Sequence, residues 1–204
     1  LAAQHSQSPY SMFMNLAGLK VILPSTPYDM KGLLKAAIRD DNPVMSFESN
    51  RLMGFESEVP DEDYVVPIGK ADIKCEGRDI TVVGIAWMVQ EALAAAETLD
   101  KEGVSVEVVD PRTLAPMDGE TIRASVRKTG RLLVADEAGP TAGASAEIIS
   151  LATEDPETFK AMKAPAHRVC ALDAPIPYSP VLEDHVFPNR ERIAKGIRAV
   201  LSAR

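Results

Sequence analysis

Between Leu19 and Phe47 the chain runs from one short apolar segment, through a helix with both ends marked, into another. Leu19–Pro24 is aliphatic and bounded by turn formers, the pattern of a strand. Thr26 stands where an N-cap belongs, and Pro27 takes the first helical position, where a missing N–H costs nothing. Met30, Leu33, Leu34, Ala37 and Ile38 then recur at helical spacing. Pro43 disfavours the α conformation at Asn42, so the helix stops there, and Val44–Phe47 follows as a second strand. Two strands joined through a helix are expected to lie parallel. A chain that begins this way belongs to the α/β class.

The pattern then breaks and resumes. Residues 49–69 (SNRLMGFESEVPDEDYVVPIG) are acidic, carry two prolines and two glycines, and show no period, as an interdomain connection does. Asp79–Ile85 is a strand, and Met88, Val89, Ala92, Leu93, Ala96 and Leu99 mark one face of the next helix, with Gly103 as its C-cap. Val104–Val109 is a further strand. Asp118 is placed as an N-cap, with Met117 and Ile122 as a hydrophobic staple around it. Strand Arg131–Ala135 leads to helix Gly143–Thr153, Pro165–Leu172 is extended, and Ile193, Ile197, Val200 and Leu201 form one face of a closing helix. This alternation predicts a three-layer α/β domain with a largely parallel sheet.

With 204 residues, 46% of them hydrophobic, the chain can bury a substantial core. The net charge of −8 argues against nucleic acid or an anionic membrane as partner, since both require a basic face. Cys75 and Cys170 are too far apart for a zinc or CxxC signature and read as reduced thiols, in keeping with a cytoplasmic protein. No apolar run approaches the ~18 residues of a membrane span. The opening LAAQHSQSPYSMF lacks a signal peptide's basic head and reads like the middle of a domain, which leads us to expect a fragment or processed chain.

Four segments could carry chemistry. His5, in Gln4-His5-Ser6-Gln7, can exchange protons near neutrality, or can simply hydrogen-bond its own loop. The Ala37–Pro43 segment ends a helix whose last carbonyls carry partial negative charge. Oxygens just beyond it could complete a cage for a hard cation, or the segment is an ordinary polar helix end. Glu137–Gly143 joins a strand to a helix but matches neither the dinucleotide nor the P-loop pattern, so a tight turn is expected. The prolines of Asp173–Pro180 stiffen a loop that either presents Tyr178 or wraps the domain. His167 and His185 stand alone and read as structural or surface residues.

Read in order, AQHSQS, GLKVILPSTPYDMKGLLKAAIRDDNPV, VPIGKADI, DITVVGI, VEVVDPRTLAPMDGETIRASVRKTGRLLVADEA and DAPIPYSPVLED resemble the β subunits of 2-oxo acid and acetoin dehydrogenases. The matches are collinear over nearly the whole chain. The resemblance implies that residues 1–50 end a thiamine pyrimidine-binding domain, that 51–69 link it, and that 70–204 form a transketolase C-terminal-type domain. It implies an E1 component that decarboxylates a 2-oxo acid, or cleaves acetoin, on thiamine diphosphate and acylates the lipoyl group of the E2 dihydrolipoyl acyltransferase. An E1 α subunit would supply the diphosphate and magnesium side of the cofactor site, and a second β subunit would complete an α2β2 assembly. His5 matches the family's active-site histidine. Ala37, Ile38, Asp40 and Asn42 match its potassium site, the first two through backbone carbonyls. The glutamate that activates the cofactor's aminopyrimidine would lie upstream of this sequence. Two alternatives stay open: a non-catalytic assembly or docking fragment of such a subunit, and a fragment of a transketolase-like enzyme.

Overall fold

The computed structural model describes residues 3–203; Leu1, Ala2 and Arg204, at the outer bounds of the two expected domains, lie outside the described residues. In chain order the elements are α1 (Ser11–Met14), β1 (Lys20–Ile22), α2 (Pro27–Ile38), β2 (Val44–Ser46), β3 (Asp72–Cys75), β4 (Ile80–Gly84), α3 (Met88–Asp100) and β5 (Val106–Asp110). There follow β6 (Thr113–Ala115), α4 (Gly119–Thr129), β7 (Leu132–Asp136), α5 (Ala144–Thr153), α6 (Pro156–Ala161), β8 (His167–Cys170), α7 (Pro180–Val186) and α8 (Arg190–Ser202).

The first βαβ unit forms as expected. Thr26 caps α2 by accepting the Asp29 N–H at 3.1 Å, Pro27 opens the helix, and β1 and β2 pair in parallel with Lys20 opposite Val44. The buried face of α2 is narrower than its apolar stripe. Leu33 is sealed against Ile22 and Val66, whereas Leu34 and Ile38 are exposed. Val66 comes from the acidic, proline-containing stretch after β2, so that segment folds back onto the unit it leaves.

The second sheet has the order β3-β5-β4-β7-β8. Its last four strands are parallel, and β3 pairs antiparallel with β5 at the edge. The period of two along each strand sorts side chains to opposite faces. Leu133 and Ala135 of β7 meet α3 and α8, while Leu132 and Val134 meet Ile122, Val126 and Ile148 on α4 and α5. Helices therefore cover both faces, giving the expected three layers. The sequence does not mark β3, β6, α6 or α7, and the structure supplies all four.

Strand β6 ties the two units together. It pairs antiparallel with β1, making the sheet β2-β1-β6, and Leu23 donates its N–H to the Arg112 carbonyl at 2.8 Å. Tyr10, Val21 and Leu23 share one apolar cluster with Val83, Val109 and Val134, so the first unit packs on the second through a common core.

Asp118 shows how this junction is held. Its carboxylate accepts the Thr121 N–H at 3.2 Å, the Thr121 hydroxyl at 2.8 Å and the Ala71 N–H at 3.2 Å, capping α4 and pinning the entry to β3. Asp118→Ala is expected to destabilise the fold by about 1–2 kcal/mol, as loss of an N-cap does. A chemical denaturation midpoint equal to that of the parent chain would show that the cap is dispensable.

Candidate functional site

His5 closes a short 3-10 turn, Ala3–His5, and is exposed. Three elements hold its segment. Asn50, just beyond β2, donates its side-chain amide to the His5 carbonyl at 2.9 Å. The Ser8 hydroxyl donates to Glu137 Oε1 at 3.2 Å, and the Ser49 hydroxyl donates to Glu137 Oε2 at 2.9 Å. Tyr10, buried at the start of α1, donates its hydroxyl to Asp136. The Ser6 hydroxyl reaches Glu183 on α7 at 3.5 Å. Together, residues 5–8, 48–51, Glu137, Glu183 and Phe187 line a cleft enclosing about 70 Å³.

The electrostatics of this cleft are set by its acids. Glu137 follows β7, the strand Leu132–Asp136, and its carboxyl is pushed up to about 7 by burial. The bonds from Ser49 and Ser8 and the charge of Arg51 work against that rise, and the neighbouring Asp136 adds to it. Asp136 is itself raised by burial, although Tyr10 and the N–H groups of Ala138 and Ser145 bond to it. Arg51 is the cation of the cleft lining; it pairs with Asp184 at 3.1 Å and lies over the Phe187 ring at 4.8 Å. One histidine and several carboxylates suit proton transfer and a cationic or neutral reacting group. A diphosphate would find too little positive charge here.

The expected cation segment lies elsewhere, at the end of α2. The Ala37 carbonyl accepts the Asp40 N–H at 3.2 Å, and Asp40 Oδ1 accepts the Asn42 N–H at 2.9 Å and its side-chain amide at 3.2 Å. Asp40 also pairs with Lys20, and hydrogen bonds from Lys20 and Asn42 hold its carboxyl below the usual range. With the Asp40 charge taken by Lys20, the donors left are mainly carbonyls at the negative end of a helix. Such a set suits a monovalent cation better than a divalent one. Among the described residues, no group of three or more His, Cys, Asp or Glu side chains is arranged for a metal ion. The structure thus brings His5 together with Glu137, Ser8, Ser49 and Asn50, and leaves Ala37, Ile38, Asp40 and Asn42 as a separate set.

The loop after β7 closes tightly. Asp136 accepts the Ala138 and Ser145 N–H groups at 2.9 and 3.2 Å, and a Cβ on Gly143 would lie 2.5 Å from the Gly139 carbonyl oxygen. His167 and His185 are both exposed, as is Tyr178. No local sequence pattern marks a second polar cluster, where α2 meets β3 and β5. Lys74 contacts Asp29 at 2.8 Å, Asp72 at 2.7 Å and Asp110 at 3.8 Å, and Arg112 contacts Asp29 at 3.1 Å. Asp110 also accepts the Ser25 hydroxyl. These pairings join residues distant in sequence, and no local spacing announces them.

Residues 1–54 match the transketolase pyrimidine-binding domain, and residues 69–193 match the transketolase C-terminal domain. The chain is 45% identical over 192 residues to the β subunit of acetoin:2,6-dichlorophenolindophenol oxidoreductase from Bacillus subtilis (strain 168), covering 94% of this chain and 56% of that one. It is 43% identical over 198 residues to the pyruvate dehydrogenase E1 β subunit of the same organism, covering 97% and 60%. The chain thus spans little more than half the length of these relatives. A split-gene transketolase, described as an inactive β4 tetramer, superposes with a TM-score of 0.79 at 22% identity, covering 95% of this chain and 61% of that one, which shows the shared fold. From these matches, the chain belongs to the transketolase family, with a pyrimidine-binding segment followed by a transketolase C-terminal domain.

Proposed function

We propose that this chain is the later part of a β subunit of a thiamine-diphosphate-dependent E1 component, acting on a 2-oxo acid or acetoin. The observation that carries the reading is identity of 40–46% to β subunits of acetoin, pyruvate and 2-oxoisovalerate dehydrogenases along nearly the whole chain. Residues 1–50 and 70–204 are read as the two domain portions and 51–69 as their connection. The partners are an E1 α subunit, a second β subunit and the E2 acyltransferase, in the cytoplasm.

When bound, thiamine diphosphate supplies a nucleophilic ring carbon for attack on a carbonyl. This chain's contribution is the cleft around His5. His5 is suited to hold or release a proton beside the reacting ring, and Asn50 fixes its backbone. The low positive charge of the cleft agrees with diphosphate and magnesium being held by the α subunit. The carbonyls of Ala37 and Ile38, with Asp40 and Asn42, would hold potassium and fix the end of α2.

The test is calorimetric titration of thiamine diphosphate and magnesium into this chain, alone and together with an E1 α subunit. Binding and 2-oxo acid decarboxylation only in the mixture support the reading. Absence of both in the mixture, with the subunits shown to associate, would favour an assembly fragment instead.

A further inference from the structure

Glu137 is buried, with 8% of its surface exposed, yet it lines the same cleft as His5. Its two carboxylate oxygens do different jobs. Oε1 takes the hydroxyl of Ser8, three residues after His5, and Oε2 takes the hydroxyl of Ser49, one residue before the Asn50 that holds the His5 carbonyl. One side chain from the C-terminal domain therefore binds both segments that fix the histidine. We propose that Glu137 is the positioning residue of the active-site cleft, a clamp that holds the His5–Ser8 segment against the exit of β2. Its catalytic consequence rests on the function proposed above; its structural consequence does not.

A buried carboxylate is a costly way to hold two serines, because desolvation opposes its charge. What it offers is two acceptors at a fixed separation, so that both segments share one rigid origin on β7. Asp136 anchors that origin by accepting Tyr10, Ala138 and Ser145. Besides the clamp, the segment is held by the Asn50 amide on the His5 carbonyl and the long Ser6–Glu183 bond, with Tyr10 anchored just after it. The segment itself is a single 3-10 turn followed by Ser6–Pro9, and no residue of that turn is buried. Without the clamp, His5 keeps its chemistry and loses its address. A displacement on the order of 1 Å can cost about 10²-fold in rate.

The experiment compares Glu137→Ala, Glu137→Gln and Ser8→Ala in this chain by backbone amide relaxation. Glutamine can still accept from one serine and donate to the other, so it should preserve order at residues 5–8. Alanine should lower the heteronuclear NOE of those amides while the amides of β4, β5 and β7 stay rigid. Ser8→Ala removes one of the two bonds and should give an intermediate loss; it keeps the proposal testable if the Glu137→Ala chain does not fold. Residues 5–8 as rigid in Glu137→Ala, or in Ser8→Ala, as in the parent would overturn the clamp.

With an E1 α subunit and the upstream part of the β chain restored, Glu137→Ala should lower kcat by about 10²-fold with KM little changed, and Glu137→Gln should recover most of it. A glutamine variant as slow as alanine, with residues 5–8 still rigid, would mean that Glu137 acts on the chemistry and not through position. Loss of order in Glu137→Ala, with no activity from any assembled form including the parent, would leave the clamp standing and remove the E1 reading.

Discussion

Replacing Asp29 with alanine is expected to destabilise the protein by about 3 kcal/mol, toward the lower end of the cost of breaking a buried ion pair. Asp29 is fully buried at the first turn of α2, between Lys74 at 2.8 Å and Arg112 at 3.1 Å. Burial opposes its ionisation, but the bonds from Lys74, Thr26 and Arg112 prevail and hold its carboxyl below the usual range. Lys74 and Arg112 are themselves largely covered, at 16% and 11% exposure, so neither regains much water when its partner is removed. The loss is limited because Asp110 stands 3.8 Å from Lys74. Burial pushes the Asp110 carboxyl up to about 7 while Asp29 carries the charge. With Asp29 gone, Asp110 can ionise and take its place. At about 2–4 °C per kcal/mol for a domain of this size, the melting temperature should fall by roughly 6–12 °C. Asp29→Asn, which keeps one acceptor, should fall less. A change within about 2 °C for the alanine variant would mean that this network does not hold the two units together.

The fold was legible where the chain obeys local rules. Thr26, Pro27 and Pro43 mark the ends of α2, and the run Leu132–Ala135 is long and apolar enough to show as a buried strand. Strands β3 and β6 escaped for opposite reasons. Asp72-Ile73-Lys74-Cys75 is an edge strand with charged residues that reads like loop, and Thr113-Leu114-Ala115 lies in the four residues that separate Pro111 from Pro116. Both are strands because a neighbour, β5 or β1, presents unpaired backbone groups, and that is a tertiary fact. The reverse error occurred in α2, where helical spacing placed Leu34 and Ile38 on the core face although the structure leaves both exposed.

The candidate site divided in the same way. His5 is identified by residue type and by resemblance. Glu137 opens one of the four segments singled out, but without a dinucleotide or P-loop pattern that segment reads as a tight turn, and nothing local shows that its carboxylate reaches Ser8 and Ser49. A usable signal was position: it follows the carboxyl end of a parallel strand, where α/β folds gather their functional groups. The buried cluster of Asp29, Asp110, Lys74 and Arg112 had no such signal, since each member sits in an ordinary local sequence.

Stability should be greatest near pH 5 and should fall toward pH 8. Asp110 and Glu137 both have folded-state values raised to about 7, from 3.8 and 4.5. Their contribution is fully present below the unfolded values and is lost as pH rises through about 7. Between about pH 4.5 and 7 the native chain keeps protons that the unfolded chain has released, so ∂ΔG/∂pH is negative. At about 1.4 kcal/mol per pKa unit, each group accounts for roughly 3–4 kcal/mol. Asp29 and Asp118 run the other way. Their lowered values stabilise the fold above the unfolded carboxylate range, and that stability is lost as pH falls below about 4. The two trends enclose a maximum between them. Urea midpoints measured from pH 4 to 8 should trace it, and Asp110→Asn or Glu137→Gln should each flatten the decline above pH 5. A parent midpoint that stays level or rises from pH 5 to 8 would mean that both carboxyls are already ionised in the native protein. The charge of Glu137 would then be fixed across the working range, and the cleft beside His5 would keep one electrostatic state instead of changing it near neutrality.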